Sequence, residues 1–230
     1  MHKTLSALSV AAVMAAGLAT SQLSGAQAPA AAQAPQPPMG FFVTSVGLGD
    51  GANLGGLAGA DKHCQALAAS VGAGGRTWRA YLSAAPAGQQ GPVNARDRIG
   101  RGPWYNSRGQ LIAWNVEELH GDFQHDRNNV RKPSSLTEKG ATVNGVGDTP
   151  NQHDILTGSD SHGRLPIGAA QVLTCNNWTS NNEGRTLVGH SDRLGGPNSS
   201  WNSVHSTAGC SQQQLVSTGG AGLFYCFAAD

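Results

Sequence analysis

Apolar residues occur along this chain in short interrupted runs, and their spacing changes character several times. Phe41-Phe42-Val43-Thr44-Ser45-Val46 is an unbroken aromatic and β-branched run that predicts a first strand. The glycine-rich stretch GLGDGANLGG then forms a loop. Over residues 57 to 71 the pattern becomes helical: Leu57, Ala60, Cys64, Leu67, Ala68 and Val71 step by three or four. They make one apolar stripe, with Gly72 as its C-terminal stop. In residues 77 to 82, Trp78, Ala80 and Leu82 alternate as in a half-buried strand.

Residues 84 to 150 are mostly irregular. Trp104-Tyr105 and Leu111-Ile112 predict short strands around the turn Asn106-Ser107-Arg108-Gly109, and residues 116 to 119 a helical turn. Residues 120 to 150 carry few large apolar groups and many Asp, Asn and Gly, which reads as a long surface loop of the kind that often carries function. In the last third, short apolar runs at 171 to 174, 186 to 188 and 223 to 227 alternate with turn signals, as in a small, loop-rich mixed sheet.

Composition narrows the setting. Residues 1 to 28 read as a secretory leader, with Lys3, an uncharged apolar run and small residues before the expected cleavage point. Residues 29 to 39 form an Ala/Pro/Gln-rich linker, and residues 40 to 230 a single folded domain. The leader's removal takes one of the 15 basic residues and none of the 14 acidic ones, so the remaining chain is near neutral and offers no charge for nucleic acid. No transmembrane segment is expected after cleavage, and the expected location is secreted or periplasmic. The 4 cysteines, in an exported chain, predict two disulfides, for which three pairings exist.

The order of motifs carries a resemblance. FFVTSVGL, GLAGADKHCQALA, RTWRAYLSA, ARDRIG, ILTGSDSHGR, TCNNWTS, LVGHSDR and GLFYCFA together resemble the endostatin domain and its bacterial, adhesin-like relatives over residues 40 to 228. The resemblance implies an α+β, C-type-lectin-like fold: a twisted, mainly antiparallel sheet, a flanking helix and long loops. It also implies nested disulfides, Cys64 with Cys226 and Cys175 with Cys210. Asp160 is placed to hold a turn through backbone amides, and Trp178 to pack beside the inner disulfide. His190 and His205 lie near the matching motifs, and the resemblance implies no role for either.

Three surfaces are candidates for binding. Arg76, Arg79, Arg96, Arg98, Arg101 and Arg108 face one acid, Asp97, within residues 76 to 108, and guanidinium groups suit sulfated glycans. Asn198, Trp201 and Asn202 echo a lectin sugar loop, although Ser203 stands where a calcium site needs a second acid. His120, Asp122, His125 and Asp126 could gather a zinc ion. The endostatin zinc site itself does not carry over, because residues 29 to 39 contain no histidine. There is no Gly-x-Ser-x-Gly, phosphate loop or His-Glu-x-x-His. The expectation is a non-enzymatic lectin or adhesin that recognises glycans or matrix-like glycoproteins. The alternative is a structural envelope protein that uses the same fold for protein contacts.

Overall fold

The computed structural model describes residues 35–121, 128–166, 168 and 171–230. The architecture is mixed α+β and is organised around the last strand, β8 (Gly220–Ala228). Its C-terminal half lies between β1 (Phe41–Val43) and β2 (Trp78–Ala80), both antiparallel to it. Cys226 is the register partner of Phe42 on one side and of Ala80 on the other. Its N-terminal half pairs in parallel with β5 (Asp154–Leu156), which continues antiparallel through β6 (Leu187–His190) to β7 (His205–Ser206). A separate hairpin joins β3 (Trp104–Tyr105) to β4 (Leu111–Ala113).

Side-chain alternation along β8 divides the core into two layers. Phe224, Cys226 and Ala228 join Phe42, Trp78, Leu156 and Val188 beneath α1 (Gly56–Ser70). Tyr225 and Phe227 face the other way, toward Phe41, Tyr81, Trp104 and Trp201. Both sheet faces are buried, which is why these strands read as continuous apolar runs. The helix meets β8 through the disulfide Cys64–Cys226, and a second bridge joins Cys175 to Cys210. This is the nested pairing that the resemblance implied, and two disulfides fit an oxidising environment. No helix among the described residues is long and apolar enough to cross a membrane.

Several expectations shift. The first strand ends at Val43, and residues 171 to 174 contribute only a bridge from Thr174 to Thr186. The short segments that become β5 and β7 did not read as strands: β5 has only two apolar residues, Ile155 and Leu156, and β7 is the polar pair His205-Ser206. Neither did α4 (Gln212–Ser217) stand out as a helix, although its Ser211–Gln214 capping box is legible in the sequence. The long loop is not all surface: Val130, Leu136, Thr137 and Glu138 are buried. The loop is drawn inward because β1 lacks a full partner on its outer side. Val43 N–H donates to Leu136 O, and Ser45 donates through both its amide and its hydroxyl to Glu138. At α3 (Cys175–Trp178) all four residues have positive φ. The Cys175–Cys210 bridge and Trp178 Nε1–H donating to Ser83 O hold that turn against its steric cost.

The outer disulfide spans 162 residues, for which loop-closure entropy gives about 5 kcal/mol. Cys64→Ser/Cys226→Ser should therefore lose several kcal/mol in urea unfolding, more than Cys175→Ser/Cys210→Ser, whose bridge spans 35 residues. Equal losses would show that loop length does not govern the effect.

Candidate metal centre

Three adjacent strands place side chains on one face. Asp154 of β5 is the register partner of His190 of β6, and Val188, two residues back on the same face, is opposite His205 of β7. Asp154, His190 and His205 therefore converge at one end of the layer that holds Leu156 and Val188. The chain at Trp201 and Asn202 can press against β6 because residue 189 is glycine: a Cβ there would sit 1.9 Å from Trp201 O. Gly196, with φ +72°, folds the following loop over the imidazole, where a Cβ would be 3.0 Å from His190 Cε1.

Asp154 Oδ1 lies 3.1 Å from His190 Nε2, 3.6 Å from His205 Nε2 and 3.4 Å from His153 Nε2. The two Nε2 atoms of His190 and His205 are 3.1 Å apart. Asp154 is buried, and neither of its carboxylate oxygens accepts a well-directed hydrogen bond.

The opposite ring nitrogens determine what these atoms present. His190 Nδ1 is 2.8 Å from Leu194 O, and His205 Nδ1 is 3.1 Å from Ser206 O. A carbonyl only accepts, so each Nδ1 carries the hydrogen and each neutral ring turns a bare Nε2 inward. Two lone pairs and a carboxylate oxygen thus face one another at 3.1 to 3.6 Å, which is repulsive without a cation between them. A tetrahedral ion with bonds of about 2.1 Å requires ligand separations of roughly 3.4 Å, close to those present. Backbone carbonyls behind two ligating rings are the outer support that metal-bound histidines normally have.

A proton is the other cation that can serve. Burial pushes the His190 pKa down, but the hydrogen-bonding and charge contributions of Asp154, the Leu194 carbonyl and the Asp192 charge outweigh it, leaving His190 above its ordinary value. Beside the centre, Asp192 Oδ1 accepts from His153 Nδ1–H and Leu194 N–H, and its Oδ2 accepts from Val146 N–H. Burial raises its pKa, yet these donors and the neighbouring His153 hold it below its ordinary value.

The residues singled out from sequence fall elsewhere. Asp122, His125 and Asp126 lie outside the described residues. His120 is a core residue: its Nδ1–H donates to Val116 O, and its Nε2 accepts from Tyr81 OH at 2.7 Å. Both nitrogens are used, which corrects its reading as a ligand. Trp201 and Asn202 are fully buried, so neither offers a face to a sugar; Asn202 Nδ2–H donates to Tyr81 OH. Asn198 is exposed and caps Ser200 N–H. The arginines do not form one patch. Arg98 makes a two-oxygen pair with buried Asp61, which Arg79 joins at 2.8 Å. Arg76 pairs with Asp230, while Arg96 and Arg108 donate to the carbonyls of His162 and Gly140. Arg101 is exposed and makes no side-chain polar contact among the described residues.

His153, Asp154, His190, Asp192 and His205 were not legible as a set. They fall in three separate stretches, 153 to 154, 190 to 192 and 205, and only strand register brings those stretches together. Comparison with protein-family models and with curated proteins finds no match.

Burial lowers the His120 pKa from 6.5 to about 4; repulsion from Arg96 and His162 lowers it further, and the Val116 carbonyl and the Asp97 charge oppose this only in part. The unfolded chain therefore takes up this proton near 6.5 while the folded protein resists until about 4. Stability is full above that window and falls by about 3 kcal/mol as pH drops through it. In His120→Gln, unfolding free energy measured from pH 7 to 4 should lose this component of its slope; an unchanged slope would contradict a neutral buried imidazole.

Proposed function

We propose that this protein is an exported, disulfide-stabilised domain that binds a divalent transition metal, zinc best of all, between β5, β6 and β7. The observation that carries the reading is the buried Asp154 carboxylate without a well-directed donor, faced by two bare imidazole nitrogens at tetrahedral spacing. Imidazole and carboxylate donors suit zinc, whereas calcium would need a larger set of oxygen ligands. Export is supported by the leader-like pattern of residues 1 to 28 and by the two disulfides.

The oxidised protein should take up one zinc per chain in calorimetric titration. Free zinc at 100 times the Kd should raise unfolding free energy by about 2.7 kcal/mol. Asp154→Asn and His190→Ala should each abolish both effects. Failure of the wild-type protein to bind zinc at micromolar concentration would sink the reading.

A second reading, glycan recognition on an endostatin-like, C-type-lectin-like fold, is favoured by one surface feature. Trp114 is 57% exposed, meets Tyr105 edge-on at 6.4 Å, and its backbone carbonyl abuts Gly102, the residue after exposed Arg101. An open indole and an exposed guanidinium on neighbouring segments are the side-chain types that suit a sulfated sugar. Arg101→Ala/Trp114→Ala should leave a heparin column at clearly lower salt than wild type, with unchanged thermal stability. Identical elution would remove the reading's support.

A further inference from the structure

We infer that the ion takes three ligands from the protein, Asp154, His190 and His205, and that its fourth position belongs to a ligand from outside the chain: water at rest, replaceable by a small monodentate anion. This rests on the metal-binding reading above and adds the coordination pattern.

His153 is the obvious fourth candidate, because its Nε2 lies 3.4 Å from Asp154 Oδ1. Its ring, however, stacks on that of His190, with centroids 3.9 Å apart and planes 19° apart. An imidazole coordinates through a lone pair lying in the ring plane, with a bond of about 2.1 Å. Two nearly parallel rings at this separation cannot both meet that condition, since an ion in the plane of one lies well off the plane of the other. His190 is the ring that fits, because its Nε2 also faces His205. The stacking likewise argues against the alternative grouping of His153, His190 and Asp192, and the Asp192 carboxylate is already committed to two backbone amides and the His153 ring.

His153 then has a different task. With Nδ1–H given to Asp192 Oδ1 at 2.9 Å, it turns an acceptor nitrogen toward the centre, where a metal-bound water needs a place for its hydrogen. Three protein ligands with one open position mark zinc sites that exchange a ligand, whereas sealed structural sites use four. The way in is also visible. His205 sits on a two-residue edge strand and its side chain is 29% exposed, against 2% for His190 and 1% for Asp154.

The test uses the oxidised full chain loaded with Co(II), whose visible absorption reports coordination, titrated with sodium azide. One cobalt per chain and a saturable shift of the visible bands with azide are expected. His153→Ala should keep one cobalt and the same band pattern, with affinity within about 100-fold of wild type, as for loss of a neighbouring support. Bands indifferent to azide, or a His153→Ala protein that no longer holds cobalt, would make His153 the fourth ligand of a sealed site and overturn the inference. The azide response of the unaltered protein decides the matter even if that variant misfolds. Wild-type protein that binds no cobalt would overturn the metal reading itself.

Discussion

The structure depends on the insertion of its last strand. β8 pairs with β1, β2 and β5, and its Cys226 lies between Phe42 and Ala80 while bonded to Cys64 of α1. Neither core layer closes without it, since Phe224 and Cys226 complete one and Tyr225 and Phe227 the other. Residues 128 to 138 fold inward because β8 occupies the inner side of β1 and leaves Val43 and Ser45 to find acceptors elsewhere. The parallel pairing of β5 with β8 is what carries Asp154 to the sheet's far end, beside β6 and β7.

This dependence explains what the sequence made legible. Elements built on apolar periodicity, namely β1, α1, β2 and β8, could be read from their own residues, because burial imprints its period directly. β3, β4 and the turn at α2 (Val116–His120) were readable from turn residues and aromatics. β5 and β7 were not: Ile155-Leu156 is too short an apolar run to show a period, and Asp154, His205 and Ser206 are polar residues placed for what they face across the sheet. The disulfide pairing came from resemblance; spacing alone left three choices. Trp201 and Asn202 misled for a related reason. A Trp-Asn pair in a polar loop looks like a binding rim, yet the chain at residue 201 presses against Gly189 and turns both side chains toward Tyr81.

Two buried acids show how the fold treats negative charge. Asp61 accepts from Ala80 N–H, from Arg79 and from Arg98 through both oxygens, so its desolvation is offset by directed, charge-assisted bonds. That arrangement commits two arginines that sequence alone offered to a glycan. Asp154 is buried too but has only imidazole edges around it, from His153, His190 and His205, each of which gives its Nδ1–H to an oxygen and turns a bare Nε2 inward. An acid surrounded by guanidinium donors is complete as it stands; an acid surrounded by lone pairs is complete only with a cation.

The location of the centre follows from what already fastens the rest of the sheet. One disulfide secures α1 to β8, and the other secures the turn at Cys175 to Cys210, just ahead of α4. The β6–β7 edge has only two register pairs, and the loop between those strands includes two consecutive glycines, Gly195 and Gly196. Backbone pairing that short is weak, and a loop of that composition resists ordering. Asp192 and the Leu194 carbonyl secure the loop's beginning to His153 and His190, while His205 anchors its end. An ion shared by His190 and His205 would close both ends of this loop onto Asp154. It would supply, at the edge without a disulfide, the cross-link that the cysteines supply elsewhere.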